Sequence, residues 1–209
     1  MALPMVHLGA AEAARKYLEI NSLPSYYLGS IAPDGVHMLE EYTSQIKDKS
    51  HLGTRRGCDT APVAEFLGRL PEFEDRDYAL GYAVHILTDI EWKYSFLGEF
   101  RRRYQADSSP VQERNQAYYN DADQIDLELY RTWDRREEIW QALKSAEGCE
   151  LPGILPRKAA QLWNARTLKW YGEPRQFEIP IRYMSLEEAA EFMEKVGKYC
   201  AGFINSLLV

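Results

Sequence analysis

The spacing of apolar residues is the feature of this sequence that most constrains its fold. Along most of the 209 residues, apolar positions recur three and four apart, which is the period of an amphipathic α-helix. The pattern predicts helices over residues 9–20, 25–31, 60–70, 75–104, 110–140 (with a break near 133), 157–170 and 186–207. Residues 173–184 are the one extended-looking segment, but two prolines argue against a central strand there. We therefore predict an all-α fold with a single domain over residues 1–209.

Two features interrupt the helical pattern. Residues 35–60 are polar and glycine-rich, which predicts a long connection with little regular structure, and connections of this length inside a compact domain are usually functional. Gly81 and Gly98 both lie within the longest predicted helix, where glycine weakens helix propensity. We expect close helix packing to be the reason for them.

Composition excludes several classes of partner and location. The net charge of −7 disfavours a phosphate backbone, so no nucleic-acid partner is expected. No stretch approaches ~20 apolar residues, so no membrane span is expected, and the first residues lack the pattern of a secretory signal. Three cysteines without a C-x-x-C pair do not suggest a disulfide framework. We expect a cytoplasmic protein, and the sequence does not indicate its oligomeric state.

His85 and Asp89 form the most informative pair of polar residues. They lie four apart on the predicted 75–104 helix, so both side chains project from one face and can chelate one metal ion. A surface hydrogen-bonded pair has the same spacing. The surrounding sequence, GYAVHILTDI, is apolar on both sides, which favours an inward-facing pair.

Three further residues each allow two interpretations. Asp34 follows Pro33 and is either a turn-forming residue or a carboxylate fixed by a rigid turn. His51, in the polar segment KDKSHLGTR, is either exposed or a ligand. His7 precedes the first predicted helix and is either a half-buried residue near the cap or a ligand.

The order of these residues resembles the zinc-dependent phospholipase C family, which is related to the fungal single-strand zinc nucleases and to the N-terminal domain of glycosylphosphatidylinositol-specific phospholipase D. The resemblance covers about the first half of the chain. It consists of His7, then YYLGSIAPD ending at Asp34, then KDKSH ending at His51, then ALGYAVHILTDIEW with His85 and Asp89.

The resemblance implies a helical bundle of the zinc-dependent phospholipase C type that hydrolyses phosphoesters. It implies a main metal site formed by Asp34, His51, His85 and Asp89. His7 would serve a second metal, with Asp89 able to bridge the two. Asp34 would orient or deprotonate the attacking water. Imidazole and carboxylate ligands suit Zn2+, with iron or manganese as alternatives.

The sequence departs from the family in three respects. The secreted phospholipases use their free amino terminus as a ligand, whereas six residues precede His7 here. No histidine follows His85, so a third metal site of the family's kind cannot be built. Lys93 stands where the phospholipase D type has a histidine after the tryptophan. We therefore expect one or two metal ions.

Some residues outside the motifs are open to a role at the site. Asp123 and Asp126, in the segment NDADQID, would supply substitute ligands or else belong to a solvated charged face. His37, three residues after Asp34, would be a hydrogen-bond partner of a metal ligand or an additional ligand. Arg101–Arg103 complement a helix C-terminus, with phosphate binding as a secondary role for them and for Arg55 and Arg56.

The sequence thus predicts a metal-dependent hydrolase, with a small-molecule phosphoester as its substrate. Two alternatives remain at this point. One is a non-catalytic helical module in which the metal is structural, and the other is a metal-assisted ester or amide hydrolase.

Overall fold

The computed structural model describes residues 2–208, with the side chain of Arg56 excepted, and over that range it is helical with no strand. The predicted all-α class is therefore confirmed. The helices are α1 (Pro4–Arg15), α2 (Leu23–Ile31), α3 (Ser44–Ser50), α4 (Ala61–Gly68), α5 (Arg76–Tyr94), α6 (Phe96–Ala106), α7 (Arg114–Thr132), α8 (Arg136–Ser145), α9 (Arg157–Gly172) and α10 (Leu186–Leu207). Short 3-10 turns cover Ala32–Met38, Thr54–Arg56, Leu70–Glu72 and Val111–Glu113.

Helix α5 lies at the centre of the fold. Its residues from Asp77 to Ile90 are all buried, because α1, α2 and α10 pack around it. A helix that is apolar on every face is stable only in such a position. The Asp75 side chain begins the helix by accepting a hydrogen bond from the backbone N–H of Tyr78. The His85 and Asp89 pair therefore lies in the interior of the protein.

Glycines allow α2 and α5 to approach each other closely. A Cβ added to Gly81 would lie 2.0 Å from the carbonyl oxygen of Tyr26, and one added to Gly29 would lie 2.1 Å from that of Tyr78. Close packing therefore explains Gly81, as expected. It does not explain Gly98, because an added Cβ there would meet no heavy atom within 4 Å.

Several predicted boundaries are wrong. The first helix begins at Pro4 rather than at residue 9, since proline suits the first helical turn, and His7 lies inside it. Residues 35–60 are not irregular, because they contain α3, the end of the Ala32–Met38 turn and the whole Thr54–Arg56 turn. The predicted 75–104 helix is two helices, which change direction at Ser95 (φ −94°, ψ −76°). The expected break near Trp133 is confirmed between α7 and α8.

The last helix begins as the sequence predicts. The Ser185 hydroxyl oxygen accepts a hydrogen bond from the backbone N–H of Glu188 at 3.1 Å. No helix within residues 2–208 is both long and apolar enough to cross a membrane.

Candidate metal centre

Four separate elements bring five polar side chains together in the interior. His7 comes from α1, Asp34 from the Ala32–Met38 turn, His51 from the residue that ends α3, and His85 and Asp89 from α5. All five are buried, and Asp89, the most exposed, is 8% accessible. His51 is therefore not an exposed loop residue, and His7 is not a half-buried cap. We call these five residues the His/Asp cluster.

Asp89 connects the histidines of the cluster. Its Oδ1 lies 3.6 Å from His7 Nε2, and its Oδ2 lies 3.7 Å from His51 Nε2 and 4.0 Å from His85 Nε2. On the other side of the cluster, Asp34 Oδ1 lies 3.6 Å from His51 Nε2. Ligands bound to zinc at about 2.0–2.1 Å in a tetrahedron are separated by about 3.3–3.4 Å, so these spacings are close to those of a coordination shell.

The cluster contains two overlapping groups of three possible ligands. One consists of His7, His85 and Asp89, and the other of Asp34, His51 and His85, with the ligand atoms of each group within 4.8 Å of one another. Because His85 belongs to both groups and Asp89 has two oxygens, the arrangement has room for one ion or for two sharing ligands.

Backbone carbonyls orient two of the imidazole rings. His85 Nδ1 is 2.8 Å from the carbonyl oxygen of Ser30, and His51 Nδ1 is 3.0 Å from that of Lys47. A carbonyl only accepts, so each Nδ1 carries the proton and donates it, and each Nε2 presents a lone pair to the cluster. Neither Nε2 has a hydrogen-bond partner among residues 2–208. Donation from Nδ1 to a backbone carbonyl, with Nε2 left for the metal, is how proteins orient histidine ligands of metals.

His7 is held by ring stacking. Its ring lies 3.7 Å from that of His85, centroid to centroid, and the planes are 8° from parallel. Neither ring nitrogen of His7 has a hydrogen-bond partner in the described part of the chain. Buried polar atoms in folded proteins are nearly always satisfied, so several unsatisfied nitrogens around one point indicate a site for a ligand.

Burial and neighbouring charges set the protonation states of the cluster. Burial lowers the pKa of His85 to about 3, with a contribution from His7, and it lowers the pKa of His7. Burial opposes ionisation of Asp34, but its interactions with His51, 3.6 Å away, and with His85 outweigh this and hold its pKa well below the usual value. The pKa of Asp89 is lowered in the same way, by His7 and the other histidines against the effect of burial. Neutral imidazoles and ionised carboxylates are the forms that bind metals.

A buried lysine lies beside the cluster. Lys47 Nζ is 3.4 Å from Asp34 Oδ1 and 2.6 Å from His37 Nε2. His37 is partly exposed, and its Nε2 lies 3.8 Å from the same Asp34 oxygen. Nothing in the sequence pattern singles out Lys47, although its position four residues before His51 places both on one helical face.

The chain segment before α1 also touches the cluster. The backbone N–H of Ala2 donates a hydrogen bond to Asp89 Oδ1 at 3.1 Å. The backbone N–H of residue 2 thus lies at the cluster.

Asp123 and Asp126 do not join the cluster. Asp126 is buried, but its carboxylate accepts hydrogen bonds from the backbone N–H of Met5, at 3.0 Å, and from the Tyr171 hydroxyl. Burial raises the pKa of Asp126 to about 7. Asp123 is half-buried and belongs to neither group of possible ligands. Asp126 instead fixes the start of α1, the helix that carries His7.

A cavity of about 200 Å³ borders the cluster. His51 and Asp89 contribute to its wall, together with three basic side chains, Arg55, Lys93 and Arg101. The cavity gives the otherwise buried cluster a space in which a small molecule can bind.

Comparison of the chain with family models, curated proteins and solved structures finds no match. Its function has to be argued from the geometry of the cluster and the cavity.

Proposed function

We propose that this protein is a metal-dependent phosphoester hydrolase with a helical fold of the zinc-dependent phospholipase C type. The observation that carries the proposal is the convergence of three buried imidazole Nε2 atoms, none with a hydrogen-bond partner in the described residues, on two carboxylates. The ligands in this proposal are His7, Asp34, His51, His85 and Asp89.

The donor set fits a transition metal. Imidazole nitrogens and carboxylate oxygens suit Zn2+, with iron or manganese as alternatives, and the two overlapping groups fit one or two ions. A metal bound there would acidify a water molecule and offset negative charge on the phosphoryl oxygens.

Two residues of the chain, Asp34 and Lys47, have roles in the proposed hydrolysis. Asp34 is ionised and faces the cluster, so a carboxylate oxygen of Asp34 accepts the proton of the attacking water. The water oxygen forms a bond to phosphorus, the ester P–O bond breaks, and the proton taken up by Asp34 passes to the departing alkoxide, which leaves as the alcohol. Lys47, beside Asp34, keeps that carboxylate in its charged form.

A phosphoester is favoured over a carboxylic ester or an amide by the charge around the cavity. Three basic side chains border it, and an anionic substrate benefits from them while a neutral one does not. This preference separates the proposed substrate class from the ester and amide alternatives.

The test combines metal analysis with a hydrolysis panel. The protein is purified without chelator, its zinc, iron and manganese are quantified, and it is assayed with 4-nitrophenyl phosphate, bis(4-nitrophenyl) phosphate and 4-nitrophenyl acetate. We expect bound metal and hydrolysis of a phosphoester, and loss of both in His85→Ala and Asp89→Ala. Folded wild-type protein that binds metal stoichiometrically yet hydrolyses no phosphoester would overturn the proposal.

His37→Ala is the matched control among the histidines. Its Nε2 already contacts Lys47, and the ring is partly exposed. We expect this variant to keep its metal and most of its activity, whereas equal losses in His37→Ala and His85→Ala would show that the five-residue ligand set is incomplete.

The burial of the cluster also supports a second candidate, a structural metal site. All five residues are at most 8% exposed, and they join α1, α5 and the two segments before and after α3. A structural site predicts that chelation unfolds the protein and that no substrate in the panel is hydrolysed. A catalytic site predicts loss of activity with most of the helicity retained.

A further inference from the structure

We propose that the cavity beside the His/Asp cluster binds a second phosphate group of the substrate, so that the preferred substrate is a small molecule carrying two phosphates. This inference rests on the proposed function, because it assigns the scissile phosphoester to the cluster and the second phosphate to the basic side of the cavity.

The cavity is lined both by residues of the cluster and by basic side chains. His51 and Asp89 belong to the cluster, while Arg55 comes from the Thr54–Arg56 turn, Lys93 from the last turn of α5 and Arg101 from α6. The basic groups are thus contiguous with the cluster but lie on different elements. A molecule bound in the cavity can place one phosphate at the cluster and another at the basic side chains.

None of the three basic side chains forms an ion pair with a carboxylate in the described residues. Lys93 Nζ donates to the carbonyl oxygens of Thr54 and Gly57, at 3.0 and 3.1 Å, which leaves one of its three N–H groups available. Arg55 Nη1 donates only to the carbonyl of Ser44, at 3.3 Å.

The two arginines that follow Arg101 do form ion pairs, so within this run of three, as far as the described residues go, the lack of a carboxylate partner is confined to Arg101, which lines the cavity. Arg102 and Arg103, which follow Arg101 directly, both pair with Glu99. Arg101 makes no such pair among residues 2–208, although the chain carries more acidic than basic residues. Unpaired guanidinium groups that line a cavity are suited to bidentate binding of phosphate.

Charge and size define the ligand. In this proposal the cluster neutralises the charge of the scissile phosphoester. The three basic side chains therefore supply more positive charge than a single phosphodiester anion requires. The cavity, at about 200 Å³, is smaller than the ~300–1,000 Å³ typical of pockets for drug-sized ligands. A compact bisphosphate matches both properties better than a polymer or a lipid.

Binding of inorganic phosphate tests the basic side chains of the cavity without turnover. Titration calorimetry is run on the protein as purified, with Arg101→Ala as the test variant and Arg102→Ala as the matched control on the same helix. We expect Arg101→Ala, and likewise Arg55→Ala, to weaken phosphate binding at least tenfold and Arg102→Ala to bind as wild type does. Equal binding by all four proteins, or none by the wild type, would overturn the inference.

Two small substrates test the second phosphate directly. We expect propane-1,3-diol bisphosphate to be hydrolysed with at least tenfold higher kcat/KM than the monophosphate, and Arg101→Ala to remove that preference. Equal kcat/KM for the two, or tight binding of an oligonucleotide with none of the bisphosphate, would overturn the inference. Arg101-dependent phosphate binding by a protein that hydrolyses nothing would instead overturn the proposed function and leave the anion site standing.

Discussion

The imidazole rings of His7 and His85 lie face to face, with centroids 3.7 Å apart, although they belong to α1 and α5. Two imidazolium rings in this position would repel each other inside a buried site. Burial lowers the pKa of both rings, and the charge of His7 contributes to lowering that of His85, to about 3. Without metal, the folded protein therefore keeps His85 neutral at pH values where the unfolded chain protonates it.

The first prediction concerns the pH dependence of stability in chelator-treated protein. Between pH 6.5 and about 3 the unfolded state binds the proton of His85 and the folded state does not, so the free energy of unfolding falls as pH falls. The slope from this one group is at most about 1.4 kcal/mol per pH unit. Urea unfolding of wild type and His85→Asn measures it, and we expect a shallower decline in the variant. Parallel curves would contradict the assignment.

The second prediction concerns Lys47, whose ammonium group neutralises Asp34 in the interior. Lys47→Met leaves the Asp34 carboxylate without this partner, and removal of one member of a buried pair costs about 3–5 kcal/mol. A bound cation replaces the lost charge, so we expect a lower Tm without metal and a larger metal-induced rise in Tm than in wild type. Thermal unfolding with and without Zn2+ measures both quantities.

Lys49→Met is the control for this substitution, since Lys49 lies on the same helix and is exposed. We expect the metal-induced rise in Tm to equal that of wild type in this control. A metal-induced rise in Tm of Lys47→Met that equals the wild-type rise would show that Lys47 does not compete with a cation for Asp34.

The sequence predicts the helices well where an apolar stripe defines them, and less well where tertiary contacts decide. Helix α3 is short and polar, and only Lys47 and Ser50 within it are buried, so it has no periodic signal. The turn at Ser95 interrupts an apolar pattern that continues on both sides: α5 packs against α1 and α2, whereas Phe100 of α6 packs against Tyr118 of α7. These contacts are not encoded in local spacing.

The cluster shows the same limit at the level of single residues. The His85 and Asp89 spacing can be read from the sequence as a shared helical face. The carbonyl of Ser30 that orients His85, and the Lys47 side chain at Asp34, come from elements that are distant from α5 in sequence. Backbone carbonyls have no sequence signature, so the direction of each Nε2 is visible only in the folded protein.

The third prediction compares two glycines of the segment first expected to be one helix. Gly81→Ala places a Cβ 2.0 Å from the Tyr26 carbonyl oxygen and 2.9 Å from the backbone nitrogen of Ser30, so α2 must move away from α5. We expect a loss of at least about 1–3 kcal/mol in the free energy of unfolding, and weaker metal binding because the Ser30 carbonyl orients His85. Chemical denaturation and metal titration measure the two effects.

Gly98→Ala is the matched substitution on α6, where the added methyl group meets no heavy atom within 4 Å. We expect it to stabilise the protein by about 0.5–1 kcal/mol, since alanine is the better helix former, and to leave metal affinity unchanged. Destabilisation of similar size by both substitutions would mean that helix propensity, and not the α2–α5 contact, explains the effect at Gly81.

The last prediction concerns Asp126, which fixes the start of α1 through Met5 and accepts a hydrogen bond from Tyr171. Its pKa is raised from 3.8 to about 7, so the folded state binds an extra proton between these values and loses stability as pH rises through them. Asp126→Asn does not titrate and keeps an oxygen for the Met5 N–H. We therefore expect the variant to gain stability relative to wild type between pH 5 and pH 8, measured by urea unfolding at each pH. A stability difference that stays constant over this range would show that the Asp126 carboxyl titrates normally despite its burial.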